Sequence, residues 1–437
     1  MEERVASVEP GGAQPARAGF LRRDGFLRRY GALLATLLLI KLLVLGNGVR
    51  VARATHLDRE SYRQNYHHHR VIGRYERPAR FDFFELWVAA DAQWYLAIAD
   101  DGYPTRDGFD RGTTSATAAP REIAERDTQI KYAFFPLWPL TMRALTVLGM
   151  RAEVAGFLLA NALGLVASLV LFGLLERRWD RGVAFGSVVL LFASPFALFF
   201  SVPFSESLFL LLAVLATSAV ERERFAWAAL WIGLAVVTRA TGVALLLLPI
   251  GWIAAKAWSA RRVEPRSARP LAWLALSALA PVAYLAFLWK RTGDPLFFNV
   301  VTKGWGGAQG LESPWKNLVH NTWETLRSFD AMPWHAFHRS QLDFLVLVVA
   351  LVLLAIGARI LPLHQWLLAA GLLAIPLLTK DLMSFGRYSV VAWPLACVPV
   401  LAVRPEVRRV LVWSLTPLLV IAQMAAAARF VNWEWVG

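Results

Sequence analysis

Residues 30 to 49 read YGALLATLLLIKLLVLGNGV, and the reading of this stretch decides the class of fold. About 20 consecutive apolar residues are what a helix needs to cross the roughly 30 Å hydrocarbon core of a bilayer. The run follows Arg22, Arg23, Arg28 and Arg29 and leads into Arg50-Val51-Ala52-Arg53. A secretory signal has an apolar region of about 7–15 residues ending in a small-residue cleavage site. The run is longer than that and ends in arginines, so it reads as an uncleaved transmembrane helix. Lys41 inside it is costly in lipid, which predicts that it faces the protein interior or snorkels to an interface.

The rest of the chain repeats the pattern. Of 437 residues, 57% are hydrophobic and 18% charged, and the mean hydropathy is +0.45, which excludes an ordinary soluble enzyme. Further apolar runs fall near 153–175, 182–203, 204–220, 225–238, 240–258, 270–289, 342–358, 361–378, 385–403 and 408–428. If the N-terminus is cytoplasmic, arginines crowd the cytoplasmic connections, among them Arg177, Arg178, Arg181, Arg222, Arg224, Arg261, Arg262, Arg359 and Arg404. The opposite short connections carry little beyond Arg239 and Lys380. This bias predicts an all-α polytopic membrane protein with about eleven spans and the C-terminus outside. The net charge of +14 belongs to that bias and implies no nucleic-acid partner. The single cysteine, Cys397, excludes an intrachain disulfide and a cysteine-based metal cluster.

The organisation expected is a polar cytoplasmic tail (1–29), a first membrane module (30–289), a second outer loop (290–341) and a C-terminal transmembrane module (342–437). The first module includes the long extracytoplasmic loop 50–131. It also includes 132–149, whose Pro136 and Pro139 favour an interfacial or re-entrant helix over a crossing. A full crossing there would put Arg177, Arg178 and Arg181 outside, against the charge rule.

Within the first outer loop, Phe81 to Ala99 (FDFFELWVAADAQWYLAIA) spaces Phe84, Trp87, Val88, Asp91, Tyr95 and Ile98 at three and four residues. The spacing predicts one interfacial helix with an aromatic face. It would hold Asp82, Glu85 and Asp91 near the membrane, where a low dielectric makes a good base; Asp82 and Glu85 read equally as its polar face. His56 and His67-His68-His69 lack metal-ligand spacing and read as an exposed loop. Gly304 to Gly310 reads as a turn, since no strand-then-helix context surrounds it. Inside the spans each ionisable residue is a candidate. Glu206 at a helix start, Arg239 between two helices and Arg387 fall at one outer level. Two arginines there suit a phosphate through forked hydrogen bonds, or each pairs with a headgroup or a carboxylate.

In order along the chain, Asp91-Ala92-Gln93-Trp94-Tyr95-Leu96-Ala97-Ile98-Ala99, Gly102-Tyr103 and Ala133-Phe134-Phe135-Pro136 resemble the signature of the PIG-V family. This is the second mannosyltransferase of GPI-anchor assembly, with its bacterial relatives. Ser194-Pro195, Ser201 to Phe209 (SVPFSESLF), Thr238-Arg239 to Gly242, Gly293-Asp294-Pro295 to Gly306 and Arg387-Tyr388 resemble later family motifs. The likeness runs from about 84 to 400 and departs at Ala90, where the family usually has Trp.

The resemblance implies a GT-C-like helical bundle with interfacial helices in the first outer loop, and makes 30–289 the catalytic module. It implies inverting transfer of mannose from a polyprenyl-phosphate-mannose donor to a lipid-linked or cell-envelope glycan, without a cofactor or metal. The membrane would be the cell membrane, with the active site on its extracytoplasmic side. Asp91 would be the general base. Arg239, Arg387 and Lys303 would hold the donor phosphate. Asp82, Glu85, Trp94, Tyr95, Tyr103, Phe135, Pro136, Glu206 and Asp294 would line the substrates. An absence of Asn-x-Ser/Thr sequons fits a polyprenyl rather than a dolichol carrier. The same architecture would suit an arabinose or glucose donor. A lipid-sugar flippase or transporter would favour inverted repeats and midplane charges, and a non-catalytic glycan-binding scaffold is the third alternative.

Overall fold

A computed structural model describes residues 23–55, 82–104, 129–260, 269–302, 339–378, 384–434 and 436, with 313, 315–316, 318–320 and 322–323. His56, the histidine triplet, Lys303 and the glycine-rich 304–310 stretch lie outside the described residues. Among the described residues every regular element is a helix. The helices are α1 (Arg23–Ala54), α2 (Ala92–Asp101), α3 (Leu137–Thr146), α4 (Ala152–Arg178), α5 (Arg181–Ala193), α6 (Glu206–Glu221), α7 (Phe225–Val236) and α8 (Leu247–Ala260). They continue as α9 (Arg269–Ser277), α10 (Leu279–Thr292), α11 (Phe297–Thr302), α12 (Arg339–Gly357), α13 (Leu363–Leu377), α14 (Phe385–Ser389), α15 (Pro394–Leu401) and α16 (Pro405–Val431).

Five helical stretches among the described residues are long and apolar enough to cross a membrane: Gly25–Ala54, Ala152–Arg178, Ala240–Ser259, Ala272–Thr292 and Pro405–Val431. Shorter apolar helices (Arg181–Ala193, Phe225–Val236, Leu342–Gly357 and Leu363–Leu377) complete the set. The chain is an all-α membrane protein. Each apolar run of the sequence is helical, yet several are interrupted. The run 182–203 bends at Ser194-Pro195 into a 3-10 turn, Pro195–Phe200. The run 385–403 is two short helices separated by residues 390–393. The run 270–289 divides at Ala278, where Pro281 has no N–H to donate to the carbonyl of Ser277. The helix Leu137–Thr146 has ten residues and rises about 15 Å, half of the hydrocarbon thickness.

Helix directions follow from cross-links along α1. Arg29 pairs with Glu176 and Lys41 with Asn161, so α4 runs antiparallel to α1. Asn47 donates to Met424 O at 3.0 Å and Thr55 to Asn432 at 2.9 Å, so α16 runs parallel to it. Lys41 turns inward: its ammonium donates to Asn161 Oδ1 (2.8 Å), Ser201 Oγ (2.6 Å) and Phe200 O (3.3 Å). It thereby binds the end of the 3-10 turn, whose carbonyls have no helical partner. One apolar core runs from Tyr30 to Trp433, so the segment after 342 is packed into the same body as α1 to α8.

The expected interfacial helix over 81–99 is a correction. Asp82 accepts from the backbone N–H groups of Phe84 (2.8 Å) and Glu85 (3.2 Å), closing a local turn that competes with helix. A 3-10 turn follows at Glu85–Trp87. Ala90 then adopts φ +50°, a left-handed conformation that ends any continuous α-helix. Only from Ala92 does an α-helix run, and residues 92–99 are all buried. The apolar face therefore packs against protein and not against lipid, mainly α3 and α4. Arg143 donates to the carbonyls of Ala99 (3.0 Å) and Asp100 (3.1 Å), closing the far end of α2.

Candidate functional site

Asp91 occupies the position before α2 and makes no side-chain capping bond to that helix. Its carboxylate instead accepts from Arg387 Nη1 at 2.5 Å. Arg387 comes from α14, after a turn in which Ser384 has φ +67° and Gly386 N donates to Asp343 Oδ1 at 2.8 Å. The Phe196 ring lies against Gly386 so closely that any side chain there would meet it. Glycine at 386 is what lets Arg387 reach this depth.

Glu206 opens α6 and is 1% exposed. Its Oε1 accepts from Arg239 Nη1 at 2.5 Å and lies 3.6 Å from Arg387 Nε. The four side chains thus form a line of alternating charge, Asp91, Arg387, Glu206 and Arg239, with two carboxylates balancing two guanidiniums. Both arginines are buried, and aromatic rings surround them. Tyr388 lies 4.9 Å from the Arg239 guanidinium and 5.2 Å from that of Arg387. Phe204 and Phe199 lie 5.4 and 5.7 Å from Arg387, and Phe209 lies 5.9 Å from Arg239. Such faces attract guanidinium by their quadrupole, and they exclude water that would screen the pairs.

The arginines expected at a phosphate therefore arrive with carboxylate partners. Asp91 is the exposed end of the line, its side chain 18% accessible against 2% for Glu206. Tyr95 projects from α2 beside it, its hydroxyl 3.4 Å from Ser205 Oγ. Burial raises the Tyr95 phenol far above its usual range, so it stays an O–H donor.

The remaining sequence candidates fall in three places. Asp82 and Glu85 bind Arg151, each at 3.0 Å, and do not join the Asp91 line. Burial opposes ionisation of Asp82, but bonds from the Glu85 N–H, Arg151 and the Phe84 N–H hold it below the usual carboxylate range. Glu85 is raised by burial and by the neighbouring carboxylates Asp82 and Glu153. Trp94 is fully buried and stacks on Phe134. Tyr103 donates to Phe134 O at 2.6 Å and stacks on Tyr132, whose phenol burial pushes up to about 12. Phe135 lies against Tyr284 and Phe298. After Pro136, Leu137 N donates to Val237 O at 3.0 Å, tying this loop to the turn that carries Arg239. Asp294 caps its own turn through Leu296 N at 2.8 Å. Among the described residues, no group of His, Cys, Asp and Glu has metal-binding geometry.

Sequence reasoning passed over Asp343, Phe199, Phe204 and Ser205. Asp343 is 2% exposed at the start of an apolar run, and the rule that singles out intramembrane acids applies to it as much as to Glu206. The aromatic residues gave no signal, because Phe in an apolar segment is ordinary.

Residues 123–259 match the family model described as Mannosyltransferase (PIG-V), a span that holds Phe134-Phe135-Pro136, Glu206 and Arg239 of the site. No curated protein matches the chain. The match covers less than a third of the chain and, lying on a helical membrane scaffold, supports a membrane glycosyltransferase similar to the PIG-V mannosyltransferases.

Proposed function

We propose that the protein transfers mannose from polyprenyl-phosphate-mannose to a hydroxyl of a lipid-linked or cell-envelope glycan, with inversion, and that Asp91 is the general base. The observation that carries this reading is the Asp91–Arg387 pair at 2.5 Å, a partly accessible carboxylate held beside a guanidinium at the edge of a buried, ring-lined charge line. In the reaction, the acceptor oxygen attacks the anomeric carbon as its proton passes to the Asp91 carboxylate. The bond from that carbon to the phosphate oxygen breaks, and polyprenyl phosphate leaves with the electron pair. A cation fixed where this charge develops lowers the barrier without reorganising.

Arg387 is the cation placed to do so. The donor phosphate competes with Asp91 for it, so donor binding releases the carboxylate for the acceptor. Arg239, clasped by Glu206, serves as the more distant charge. Glu206 Oε2 is buried without a hydrogen-bond partner among the described residues and is an acceptor suited to a sugar hydroxyl. The active site would face the extracytoplasmic side, with the N-terminus cytoplasmic, in keeping with the arginine bias of the connections.

The test is transfer by the purified protein in lipid, with labelled polyprenyl-phosphate-mannose and membrane acceptors. Asp91→Asn should lower it by about 10²–10⁴-fold, the range of a positioned base, with a melting point lowered only modestly because Arg387 keeps Glu206 at 3.6 Å. Full transfer by that variant would remove Asp91 from the role, and label supplied only by an arabinose or glucose donor would change the sugar.

A further inference from the structure

At the end of the helices remote from Asp91 lies a cleft of about 580 Å³ between α1, the end of α4 and the starts of α5 and α16. The Asp91 line adjoins the beginning of α4, where a side chain at Gly156 would meet Pro203 at 2.7 Å. The cleft reaches Phe172 near the other end of the same helix, more than 20 Å along the axis at 1.5 Å per residue. It lies at the other end of α4 from the Asp91 line.

Its lining is divided. Arg29, Arg181, Arg408 and Arg409 line it, each one helical turn before an apolar lining residue, Leu33, Phe185, Val412 and Trp413. Asp180 pairs with Arg408 at 2.8 Å and Glu176 pairs with Arg29, so four arginines meet two acids and positive charge remains in excess. Arg181 is held in place by donating to the carbonyls of Arg28 (2.9 Å) and Arg29 (2.8 Å). Arg409 is exposed and has no ion-pair partner among the described residues. The apolar part has Leu33 and Phe172 deep in it and Phe185 and Trp413, rings 6.2 Å apart, at the mouth. Trp413 is 47% exposed, on the long apolar helix α16.

We infer that this cleft is a binding site for one anionic phospholipid, its phosphate held by the arginines and an acyl chain lying along Phe185 and Trp413. Fixed guanidiniums fork onto phosphate oxygens. A free phosphate would use only half of the lining, whereas a phospholipid uses the charged and the apolar parts together. The site is independent of the transfer reaction.

The full-length protein in neutral detergent, titrated with phosphatidylglycerol, phosphatidylcholine and inorganic phosphate and read by native mass spectrometry, tests this. Phosphatidylglycerol should stay bound where equal concentrations of phosphatidylcholine and phosphate do not. Arg409→Gln should weaken it about fivefold, the share of one cation near a lipid phosphate. Trp413→Ala should weaken it as well. Arg409 bonds to nothing else described, so its variant should melt as the parent does and should transfer sugar normally. Equal retention of both lipids, unchanged affinity in Arg409→Gln, or phosphate binding as tight as phosphatidylglycerol would each overturn the assignment.

Discussion

Replacing Glu206 by Gln should destabilise the protein by about 3–5 kcal/mol, because it strips a buried guanidinium of its carboxylate. The geometry sets the size. The Glu206 side chain is 2% accessible and that of Arg239 7%, so water cannot solvate the charge left behind. Arg387 keeps Asp91 as a partner, which leaves Arg239 as the orphan. Arg239→Met alone leaves Glu206 beside Arg387 at 3.6 Å, so it should cost less. The double change Glu206→Leu with Arg239→Met removes both charges and substitutes apolar volume, which at buried pairs is often neutral or stabilising. It should fall within about 1 kcal/mol of the parent, giving a coupling of at least about 2 kcal/mol in the cycle closed by Glu206→Leu alone and Arg239→Met alone. Melting in lipid nanodiscs, followed by tryptophan fluorescence, would show Glu206→Gln lower by roughly 5 °C or more. Additive single changes, or a Glu206→Gln protein that melts with the parent, would refute the idea that this pair is dry and mutually dependent.

Three other expectations follow from the same geometry. Ala90→Val should lower both melting temperature and transfer, because a β-branched residue resists the φ of +50° that sets the direction of Asp91; Ala90→Gly should keep both, and melting with the transfer assay checks the pair. Lys41→Met should reduce transfer while leaving the Asp91–Arg387 pair formed, since Lys41 fixes the turn that brings Phe199 to Arg387; transfer equal to the parent would detach that turn from the site. As pH falls into the upper part of the carboxylate range, protonation of Glu85, whose folded value is raised, should relieve the fold. Asp82, whose folded value is lowered, contributes stability present above the ordinary carboxylate range and lost below it. Protection of residues 82–91 against hydrogen exchange, after correction for the intrinsic pH dependence of exchange, should therefore rise slightly and then fall with acidification, and Glu85→Gln should abolish only the first phase.

The apolar runs were legible because length and composition alone decide whether a helix suits a bilayer. Their interruptions were less so. Ser194-Pro195 announces its bend through the missing N–H of proline, whereas the break at 390–393 precedes Pro394 in a run that hydropathy reads as continuous. The stretch 81–99 shows a sharper failure. Its three-and-four spacing is real, but Asp82 offers its carboxylate to two backbone N–H groups, and a local bond of that kind outweighs a weak preference for helix. Ala90 in the left-handed region follows no residue rule, since alanine carries no signal for it.

The charge line raises a different limit. Asp91 and Arg387 are 296 positions apart, and nothing in either local sequence names the other. Reasoning from levels in the membrane placed Glu206, Arg239 and Arg387 at one height, and at one height opposite charges in a low dielectric find one another before they find a ligand. Two arginines gathered without acids would repel each other by several kcal/mol in a dry site, so a buried arginine pair presupposes carboxylates to hold it until an anion arrives. A phosphate entering here must therefore exchange for a carboxylate and not fill an empty cradle. Asp91, the most accessible of the two acids, is the one that such an exchange would displace.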